Sequence, residues 1–490
     1  MRRGAWVLPA ALLALGVAVA PARAAELRPG LTSCRLRGVE HDAWCGQVRR
    51  ALDPANPQGV QIDVHYAVLP ALARNRKPDP VFFLAGGPGQ SAIDLAGAMS
   101  ALLARLGNRR DLVFVDQRGT GRSAPLACAD EPPAQPLAEL AEPTHTQTRM
   151  AACLAQLEKL PYGDLRHYTT WVAMQDLDAV RRALGVEQVD LVGGSYGTRA
   201  ALEYMRQFPR AVRRAVIDGV APPDMVMPAA FSTDNQAAMD AEIAACEAAQ
   251  PCRVRYPTLR ADWHALLAGL PREVSVVHPV SGVPERFTLT RDFALGLARV
   301  PLYVPALAAG LPLALSQAAR GRFEPLVGLA AALGAGNPGR LFEGMHFSVV
   351  CAEDGPRLGQ SADPPGADFG TTFADQYRQI CARWPRGPVP AAFYSVPPAV
   401  AATLVLSGGA DPVTPPRHGA RVAKALGPKA RHVVVAQAGH GVMSLGCMRD
   451  VLFRFIDAET DDEALKVDAD CVLSIPRPPA FVPVALQAAP

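Results

Sequence analysis

Short apolar runs that end in glycine-rich turns constrain the fold of this chain more than any other feature of its sequence. They are VFFLAGGPG (81–89), DLVFVDQRGTGRS (111–123) and VDLVGGSYG (189–197), and later TLVLS (403–407) and HVVVA (432–436). Helical patterns alternate with them, and continuous β-branched runs in that setting are typical of parallel strands buried on both faces. The sequence therefore predicts an α/β fold with a mostly parallel central sheet and flanking helices.

The periodicity around these runs predicts further elements. Apolar and polar residues alternate over 60–70, as in a half-buried antiparallel strand. Apolar residues at helical spacing predict helices over 169–184, 198–208 and 443–456. Each predicted helix except the last leads into another buried run, which is the rhythm of an α/β layer structure.

The rhythm of strands and helices stops between Pro222 and Val396. This segment is rich in alanine, leucine and proline, and most of it has a helical pattern. It therefore predicts a helical insertion over 223–395 that divides one α/β core into two parts, 25–222 and 396–490.

The first 24 residues resemble a removable export signal. Two arginines precede an apolar run of about 16 residues, and Ala22-Arg23-Ala24 fits the small-x-small pattern of a cleavage site. The apolar run is shorter than the ~20 residues that a membrane span needs, and no later window reaches that length. We therefore expect a secreted or periplasmic protein, cleaved near Ala24, with no membrane span.

The charge balance of the exported chain excludes one class of partner. The full sequence has 49 Lys+Arg and 46 Asp+Glu, and removal of residues 1–24 removes three arginines and no acid. The remaining chain is formally neutral. It lacks the basic excess that proteins use to bind nucleic acid, so we expect no nucleic-acid partner.

All ten cysteines lie beyond the predicted signal. An even number of cysteines in an exported chain favours disulfides over metal ligands, and no C-x-x-C pair is present. Pairing each cysteine with its neighbour along the chain gives a hypothesis of five disulfides: 34–45, 128–153, 246–252, 351–381 and 447–471.

One serine stands where nucleophilic chemistry is expected. Gly193-Gly194-Ser195-Tyr196-Gly197 matches G-x-S-x-G, and it follows a predicted strand and precedes a predicted helix. A serine on such a sharp turn is presented in strained backbone, with small neighbours that relieve the crowding. The alternative is a Gly/Ser turn with no chemistry.

A hydroxyl nucleophile needs a base and a carboxylate to orient that base. His440 follows the last predicted strand in AGHG, and Asp411 follows the preceding strand in GGADPV. The chain order Ser, Asp, His and the position of all three after strands are typical of a hydrolase triad. The alternatives are a helix cap for Asp411 and a turn residue for His440.

The oxyanion of such a reaction needs two N–H donors. One is expected from the backbone of Tyr196, directly after the nucleophile. The other is expected from the loop AGGPGQS (85–91), with Gly87 as the first choice and Gly86 as the second. The loop lacks the G-K-[ST] of a phosphate loop and the G-x-G-x-x-G of a dinucleotide site.

Five motifs together resemble the α/β-hydrolase family of proline iminopeptidases and secreted tripeptidyl aminopeptidases. They are GGPGQS (86–91), DQRGTGRS (116–123), GGSYGT (193–198), GGADPVTP (408–415) and AGHG (438–441). VVCAED (349–354), CARWP (381–385) and the cysteine-bearing C-terminal tail resemble the tripeptidyl aminopeptidase branch. The cytosolic iminopeptidases usually carry histidine where this chain has Ala85, which also favours the secreted branch.

This resemblance implies a fold, an activity and a role for the insertion. The insertion is expected to be a cap over the active site, and the tail to be a TAP-like region. The enzyme is expected to release residues or short peptides from the N-termini of peptide substrates, with neither metal nor cofactor.

An exopeptidase of this kind must pair the ammonium group of its substrate with carboxylates. The candidates are Glu353 and Asp354 in VVCAED and Glu203 on the helix after the nucleophile. Their alternatives are a solvated acidic turn for the first two and a surface charge for the third.

Two other functions remain open at this point. A carboxylesterase or lipase-like hydrolase would use the same triad with an apolar acyl pocket and no acid for an amine. A binding protein on a hydrolase fold would be expected to have lost a triad member, and none is missing.

Overall fold

The computed structural model describes residues 30–335 and 341–483, so the predicted export signal over 1–24 lies outside the described residues. The strands are β1 (Thr32–Cys34), β2 (Ala43–Ala51), β3 (Gln61–Leu69), β4 (Val81–Leu84), β5 (Leu112–Val115), β6 (Val189–Gly194), β7 (Val212–Asp218), β8 (Arg272–Val277), β9 (Pro284–Leu289), β10 (Ala402–Gly408) and β11 (Ala430–Val435).

The α-helices are α1 (Ala96–Leu102), α2 (Ala104–Gly107), α3 (Leu137–Leu140), α4 (His145–Leu157), α5 (Thr170–Ala183), α6 (Tyr196–Gln207), α7 (Ala229–Ala248), α8 (Gln250–Arg255), α9 (Leu259–Ala268), α10 (Arg291–Leu302), α11 (Pro305–Ala308), α12 (Leu311–Ala319), α13 (Glu324–Ala335), α14 (Glu343–Glu353), α15 (Thr372–Cys381), α16 (Pro416–Leu426), α17 (Met448–Asp457) and α18 (Asp461–Leu465). Short 3-10 helices cover Leu165–His167, Pro209–Ala211, Gly355–Arg357, Ala391–Tyr394, Gly427–Lys429 and Asp470–Ser474.

Nine strands form one sheet in the order β1-β2-β3-β5-β4-β6-β7-β10-β11. Strands β1, β2 and β3 pair antiparallel, β3 also pairs antiparallel with β5, and all the strands from β5 to β11 in this order pair parallel. The predicted α/β fold with a mostly parallel sheet is therefore confirmed, as is the antiparallel strand near 60–70.

The parallel strands are apolar on both sides because helices cover both faces of the sheet. Every residue of β4, β5 and β10 is buried. One apolar cluster joins β6 and α5 across one face, and a second joins β4, β10 and α17 across the other. The carboxyl ends of these strands meet at one edge of the sheet, where ligands of open α/β sheets bind.

Helices α14 and α15 of the segment 223–395 contribute residues to the apolar cluster that joins β6 and α5, whereas most of the rest of the segment packs around a separate apolar cluster. Helices α9, α10 and α12 contribute Trp263, Leu295 and Leu315 to it. The segment also contains an antiparallel hairpin of β8 and β9, which the helical pattern did not predict. Alternate residues of β8 face this cluster, so the hairpin covers the helices on one side.

The five neighbouring cysteine pairs are confirmed as disulfides, and the described residues contain no free cysteine. Several disulfides in one chain are typical of a protein that matures in an oxidising compartment outside the cytoplasm. Within residues 30–335 and 341–483, no helix combines the length and the apolar character that crossing a membrane requires.

Candidate active site

Ser195 lies in the turn that joins β6 to α6, in a backbone conformation that is rare outside glycine. Its φ is 54° and its ψ is −124°. The neighbouring glycines allow this turn, because a Cβ at Gly197 would lie 2.1 Å from the carbonyl oxygen of Leu84 and one at Gly193 would lie 2.5 Å from that of Gly197. Such strain at a strand-to-helix turn is typical of a nucleophile elbow.

Asp411 and His440 are in direct contact at the same edge of the sheet. His440 Nδ1 lies 2.8 Å from Asp411 Oδ2, and Asp411 is 2% exposed. The Asp411 carboxylate also accepts from the N–H groups of Val413 and Thr414, each at 2.9 Å, and from the Thr414 hydroxyl at 2.7 Å. These bonds fix the carboxylate so that it can orient the imidazole.

Asp411 and His440 each favour the charged form of the other. Burial opposes ionisation of Asp411, but the His440 charge and the hydrogen bonds from His440, Thr414 and Val413 hold the pKa of Asp411 below its usual value. Burial also opposes protonation of His440. The carboxylates of Asp411 and Asp218 outweigh that effect and raise the pKa of His440 above 6.5.

Asp218, at the end of β7, joins the serine turn to the histidine loop. Its carbonyl oxygen accepts from Ser195 N–H at 2.8 Å, and its Oδ2 accepts from the N–H groups of Val442 and Met443 at 2.7 and 2.9 Å. The next residue, Gly219, lies beside the imidazole, since a Cβ there would be 3.2 Å from His440 Cε1. Ser195 and His440 are therefore linked through Asp218 and Gly219, although no hydrogen bond joins them in the described part of the chain.

Sequence reasoning missed Asp218, and it placed the start of the last helix too early. We predicted a helix from Met443, whereas α17 begins at Met448. The reason is that the Asp218 carboxylate accepts hydrogen bonds from the N–H groups of residues 442 and 443. These bonds hold the histidine loop in a turn before the helix begins. The available signal was an acidic residue at the end of the apolar run AVID, directly before glycine.

The loop predicted to hold an oxyanion lies against the serine. A Cβ at Gly86 would be 3.2 Å from Ser195 Cβ, so this residue touches the elbow, and Gly87 follows it with a φ of 109°. Tyr196 begins α6, with its hydroxyl 2.6 Å from Thr170 Oγ1. Which of the two glycines donates to an oxyanion stays a prediction.

The start of α14 holds this oxyanion loop from the other side. Phe342 N–H donates to the carbonyl of Gly89 at 2.8 Å, and His346 Nδ1 lies 3.0 Å from the carbonyl of Pro88. His346 Nε2 lies 2.8 Å from the hydroxyl of Tyr377 on α15. Residues from the 223–395 segment therefore contact the loop directly.

Tyr303 of the same segment contacts His440. Its carbonyl oxygen accepts from His440 N–H at 2.9 Å, and its ring lies edge-on to the imidazole with 5.3 Å between centroids. No sequence signal marked this residue, because the contact joins two segments more than a hundred residues apart.

Glu353 and Asp354, predicted to bind a substrate amine, are fully buried and paired with Arg199 of α6. Arg199 Nη1 lies 2.9 Å from Asp354 Oδ2 and 3.4 Å from Glu353 Oε2. Glu353 also accepts from Thr170 N–H at 2.7 Å. Burial raises the pKa of Glu353 to about 7, against the opposing charge of Arg199. An incoming ammonium group would have to displace these partners.

Glu203, the third predicted amine ligand, lies two turns beyond Ser195 along α6 and is 2% exposed. It accepts hydrogen bonds from Arg206 at 2.6 and 2.8 Å and from Gln207 at 2.6 Å. The structure does not bring it to Ser195. Its role as an amine ligand stays a prediction that these contacts do not favour.

Comparisons with known proteins agree with this architecture. Residues 79–242 match the α/β hydrolase fold family, and residues 366–467 match the family described as TAP-like protein. The tripeptidyl aminopeptidase of Streptomyces lividans is 32% identical over 222 residues, which cover 43% of this chain and 41% of that protein. The match therefore spans less than half of that relative's length.

Two further relatives carry peptidase names. The serine protease Hip1 of Mycobacterium tuberculosis is 27% identical over 417 residues, or 78% of this chain and 79% of that protein. The proline iminopeptidase of Neisseria meningitidis is 29% identical over 142 residues, or 29% of this chain and 32% of that protein. Two stretches of the chain thus match the α/β hydrolase fold family and the family described as TAP-like protein, in agreement with the motif resemblance.

Proposed function

We propose that this chain, an α/β hydrolase with a TAP-like region, is an exported serine aminopeptidase that releases residues or short peptides from peptide N-termini. The contact between His440 Nδ1 and Asp411 Oδ2, at the sheet edge that also carries the Ser195 turn, is the observation on which the proposal rests. The peptidase names of the relatives favour an amide over an ester substrate. Export is proposed to follow cleavage near Ala24.

The proposed reaction divides peptide hydrolysis into two steps through an acyl-enzyme. Ser195 Oγ attacks the substrate carbonyl while His440 Nε2 takes the hydroxyl proton. His440 then gives this proton to the leaving amine, and water releases the acyl group by the reverse sequence. Asp411 holds the imidazole in the tautomer that leaves Nε2 free to accept.

The developing oxyanion is proposed to be held by two backbone N–H groups. Tyr196 supplies one from the first turn of α6, and Gly87 supplies the other from the loop beside Ser195. Each such donor lowers the barrier by about 3 kcal/mol in hydrolases of this chemistry. The contacts of Phe342 with Gly89 and of His346 with Pro88 support this arrangement, because they hold the oxyanion loop in place before a substrate binds.

The test is hydrolysis of a matched panel by the exported, oxidised protein. The panel contains free-amine Pro-, Ala- and Ala-Ala-Pro- p-nitroanilides, their N-acetylated forms and a short-chain aryl ester. We expect cleavage of the free-amine anilides and little cleavage of the acetylated ones. Cleavage of the ester alone, regardless of the amine, would instead favour a carboxylesterase.

Two variants show whether the measured turnover comes from this site. Ser195→Ala should abolish hydrolysis of every substrate in the panel. Ser395→Ala is the matched control, since Ser395 is exposed and its hydroxyl donates to the carbonyl of Ala392. Undiminished turnover by Ser195→Ala would contradict the assignment of the nucleophile.

A further inference from the structure

Arg299 of α10 carries a partly buried guanidinium that lacks an ion pair among the described residues. Its strongest polar contact is a 3.4 Å approach of Nη1 to the hydroxyl of Tyr303, and its Nε is buried without a partner. Removing a cation from water without a counter-charge is unfavourable, so an unpaired guanidinium in this position points to a ligand that supplies one.

The other buried arginines differ from Arg299. Arg110, Arg118 and Arg199 each form ion pairs with carboxylates at 2.9 Å or less. Arg214 donates to three backbone carbonyls between 2.5 and 3.0 Å. Arg199 and Arg214 also have an unpartnered Nε, but their terminal nitrogens are engaged.

Arg299 lies close to the candidate general base. Its guanidinium carbon is 5.9 Å from the ring centroid of Tyr303, and that ring is 5.3 Å from the imidazole of His440. The guanidinium carbon therefore lies no farther from the His440 ring than these two distances added together. It is also 4.8 Å from the ring of Phe373, so two aromatic rings restrict its position.

A side chain that is linked to the oxyanion loop also lies near Arg299. Tyr377 lies one helical turn after Phe373 on α15. The Tyr377 hydroxyl contacts His346, and His346 in turn contacts the carbonyl of Pro88 in the oxyanion loop. Burial raises the pKa of the Tyr377 phenol to about 12, and the charge of Arg299 opposes that shift. Arg299 is thus linked to the histidine through Tyr303 and to the oxyanion loop through Tyr377 and His346.

We infer that Arg299 binds a carboxylate on the leaving side of a short peptide substrate, an inference that rests on the proposed aminopeptidase activity. The leaving side follows from the mechanism, since His440 must approach the leaving amine in order to protonate it. A planar guanidinium presents two parallel donors that match a carboxylate.

The distances limit the length of the leaving segment. An extended residue spans roughly 3.3–3.6 Å, so about one or two residues fit between the imidazole and the guanidinium. The carboxylate is then either the C-terminal α-carboxylate of a leaving segment of about one or two residues or the side chain of an acidic residue directly after the cleaved bond.

Three peptides distinguish these sources. They are Ala-Ala-Pro-Ala with a free C-terminus, Ala-Ala-Pro-Ala amide, and Ala-Ala-Pro-Asp amide, which has only a side-chain carboxylate. We expect the wild-type protein to cleave at least one of the two carboxylate-bearing peptides with a kcat/KM about tenfold or more above that of the alanine amide. The preferred peptide identifies which carboxylate binds.

Variants of Arg299 show whether this side chain carries the preference. Arg299→Met keeps an apolar chain of similar length beside Phe373 and should bring the ratio of kcat/KM values close to one. Arg299→Lys keeps the charge without the planar fork and should retain part of the ratio, which provides a second reading if the methionine variant folds poorly. Arg378→Met is the control, because Arg378 is 51% exposed and pairs with Asp375 on the surface, and it should keep the wild-type ratio.

The outcomes separate this inference from the proposed function. Equal cleavage of all three peptides by the wild-type protein, or an unchanged ratio in Arg299→Met, would overturn the carboxylate site and leave the aminopeptidase intact. Cleavage of none of the three would overturn the carboxylate site, and hydrolysis of the free-amine anilides then decides whether the aminopeptidase proposal stands.

Discussion

The backbone carbonyl of Asp218 accepts a hydrogen bond from the N–H of Ser195 at 2.8 Å. Its carboxylate accepts two more from Val442 and Met443, directly beyond His440. One buried residue therefore sets the position of both the candidate nucleophile and the loop of the candidate base. Its charge also acts on the imidazole, because it contributes to the raised pKa of His440.

The wild-type enzyme is expected to lose activity in acid. His440 must be neutral to accept the serine proton, and its pKa lies above 6.5 because Asp411 and Asp218 outweigh the effect of burial. Thus kcat/KM should rise with pH and level off above that raised pKa. The measurement is kcat/KM for a free-amine anilide between pH 5 and 9. An acidic limb centred below pH 6.5 would contradict this account of the histidine.

Replacing Asp218 by asparagine should move that limb to lower pH. The amide oxygen can still accept from Val442 and Met443, but the negative charge that raises the pKa of His440 is gone. We expect the plateau kcat to fall by about tenfold, because the histidine loop loses a charged acceptor. The pH profile separates the charge from a purely structural role, which would lower kcat without moving the limb.

Asp450→Asn is the matched control for this comparison. Asp450 is exposed and pairs with Arg105 on the surface. Its acidic limb should coincide with that of the wild-type protein. A shift of equal size in both variants would show that the effect is one of overall charge.

Replacing Asp411 by asparagine should be far more severe. The carboxylate fixes the tautomer of His440, and an amide that donates to Nδ1 would favour the wrong one. We expect kcat to fall on the order of 10⁴-fold with little change in the free energy of unfolding. Anilide hydrolysis measures kcat, and urea unfolding measures the free energy of unfolding. A loss below tenfold would mean that another group orients the histidine.

The parts of this arrangement that sequence could predict are those that depend on local pattern. Ser195, Asp411 and His440 each follow a buried apolar run, and parallel strands bring their carboxyl ends to one edge. Strand β2 was missed, because WCGQVRRA lacks both a continuous apolar run and a clear alternation. Its place in the sheet depends on pairing with β3 rather than on its own composition.

The contacts made by the inserted segment could not be predicted, since they join residues that are distant in sequence. Tyr303 contacts His440, and His346 contacts the oxyanion loop at Pro88. The sequence does not show that the acidic pair in VVCAED is buried with Arg199, because Arg199 lies more than 150 residues earlier in the chain. A charge pattern in sequence does not show which opposite charge will be buried with it.

The cluster of Arg199, Glu353 and Asp354 should therefore act mainly on stability. Arg199→Met leaves two buried carboxylates without their cation, which destabilises a protein by about 3–5 kcal/mol. Asp354→Asn should cost less, because Glu353 still pairs with the arginine. Urea unfolding, monitored by fluorescence, gives the free energy of unfolding of each variant.

Kinetics on the same Asp354→Asn variant test the amine-ligand prediction. If Asp354 binds the substrate amine, the preference for free over acetylated Ala-Ala-Pro anilide should fall by about tenfold or more, because an ion pair in a desolvated site is lost. If it acts as the buried partner of Arg199, the preference should stay at the wild-type value while the free energy of unfolding falls. The contacts of Asp354 lead us to expect the second result. A lost preference at unchanged stability would restore Asp354 to the substrate site.

The disulfide between Cys351 and Cys381 joins α14 to α15, the helices that carry His346 and Tyr377. Replacing both cysteines by serine should lower the free energy of unfolding by about 2–5 kcal/mol, because the unfolded chain loses a crosslink. It should also lower kcat, since the two helices together hold the oxyanion loop through Pro88.

The control replaces Cys246 and Cys252 by serine. That disulfide closes a loop of six residues between α7 and α8, far in sequence from the oxyanion loop. Equal losses of kcat in both double variants would show that the α14–α15 link has no particular role at the site.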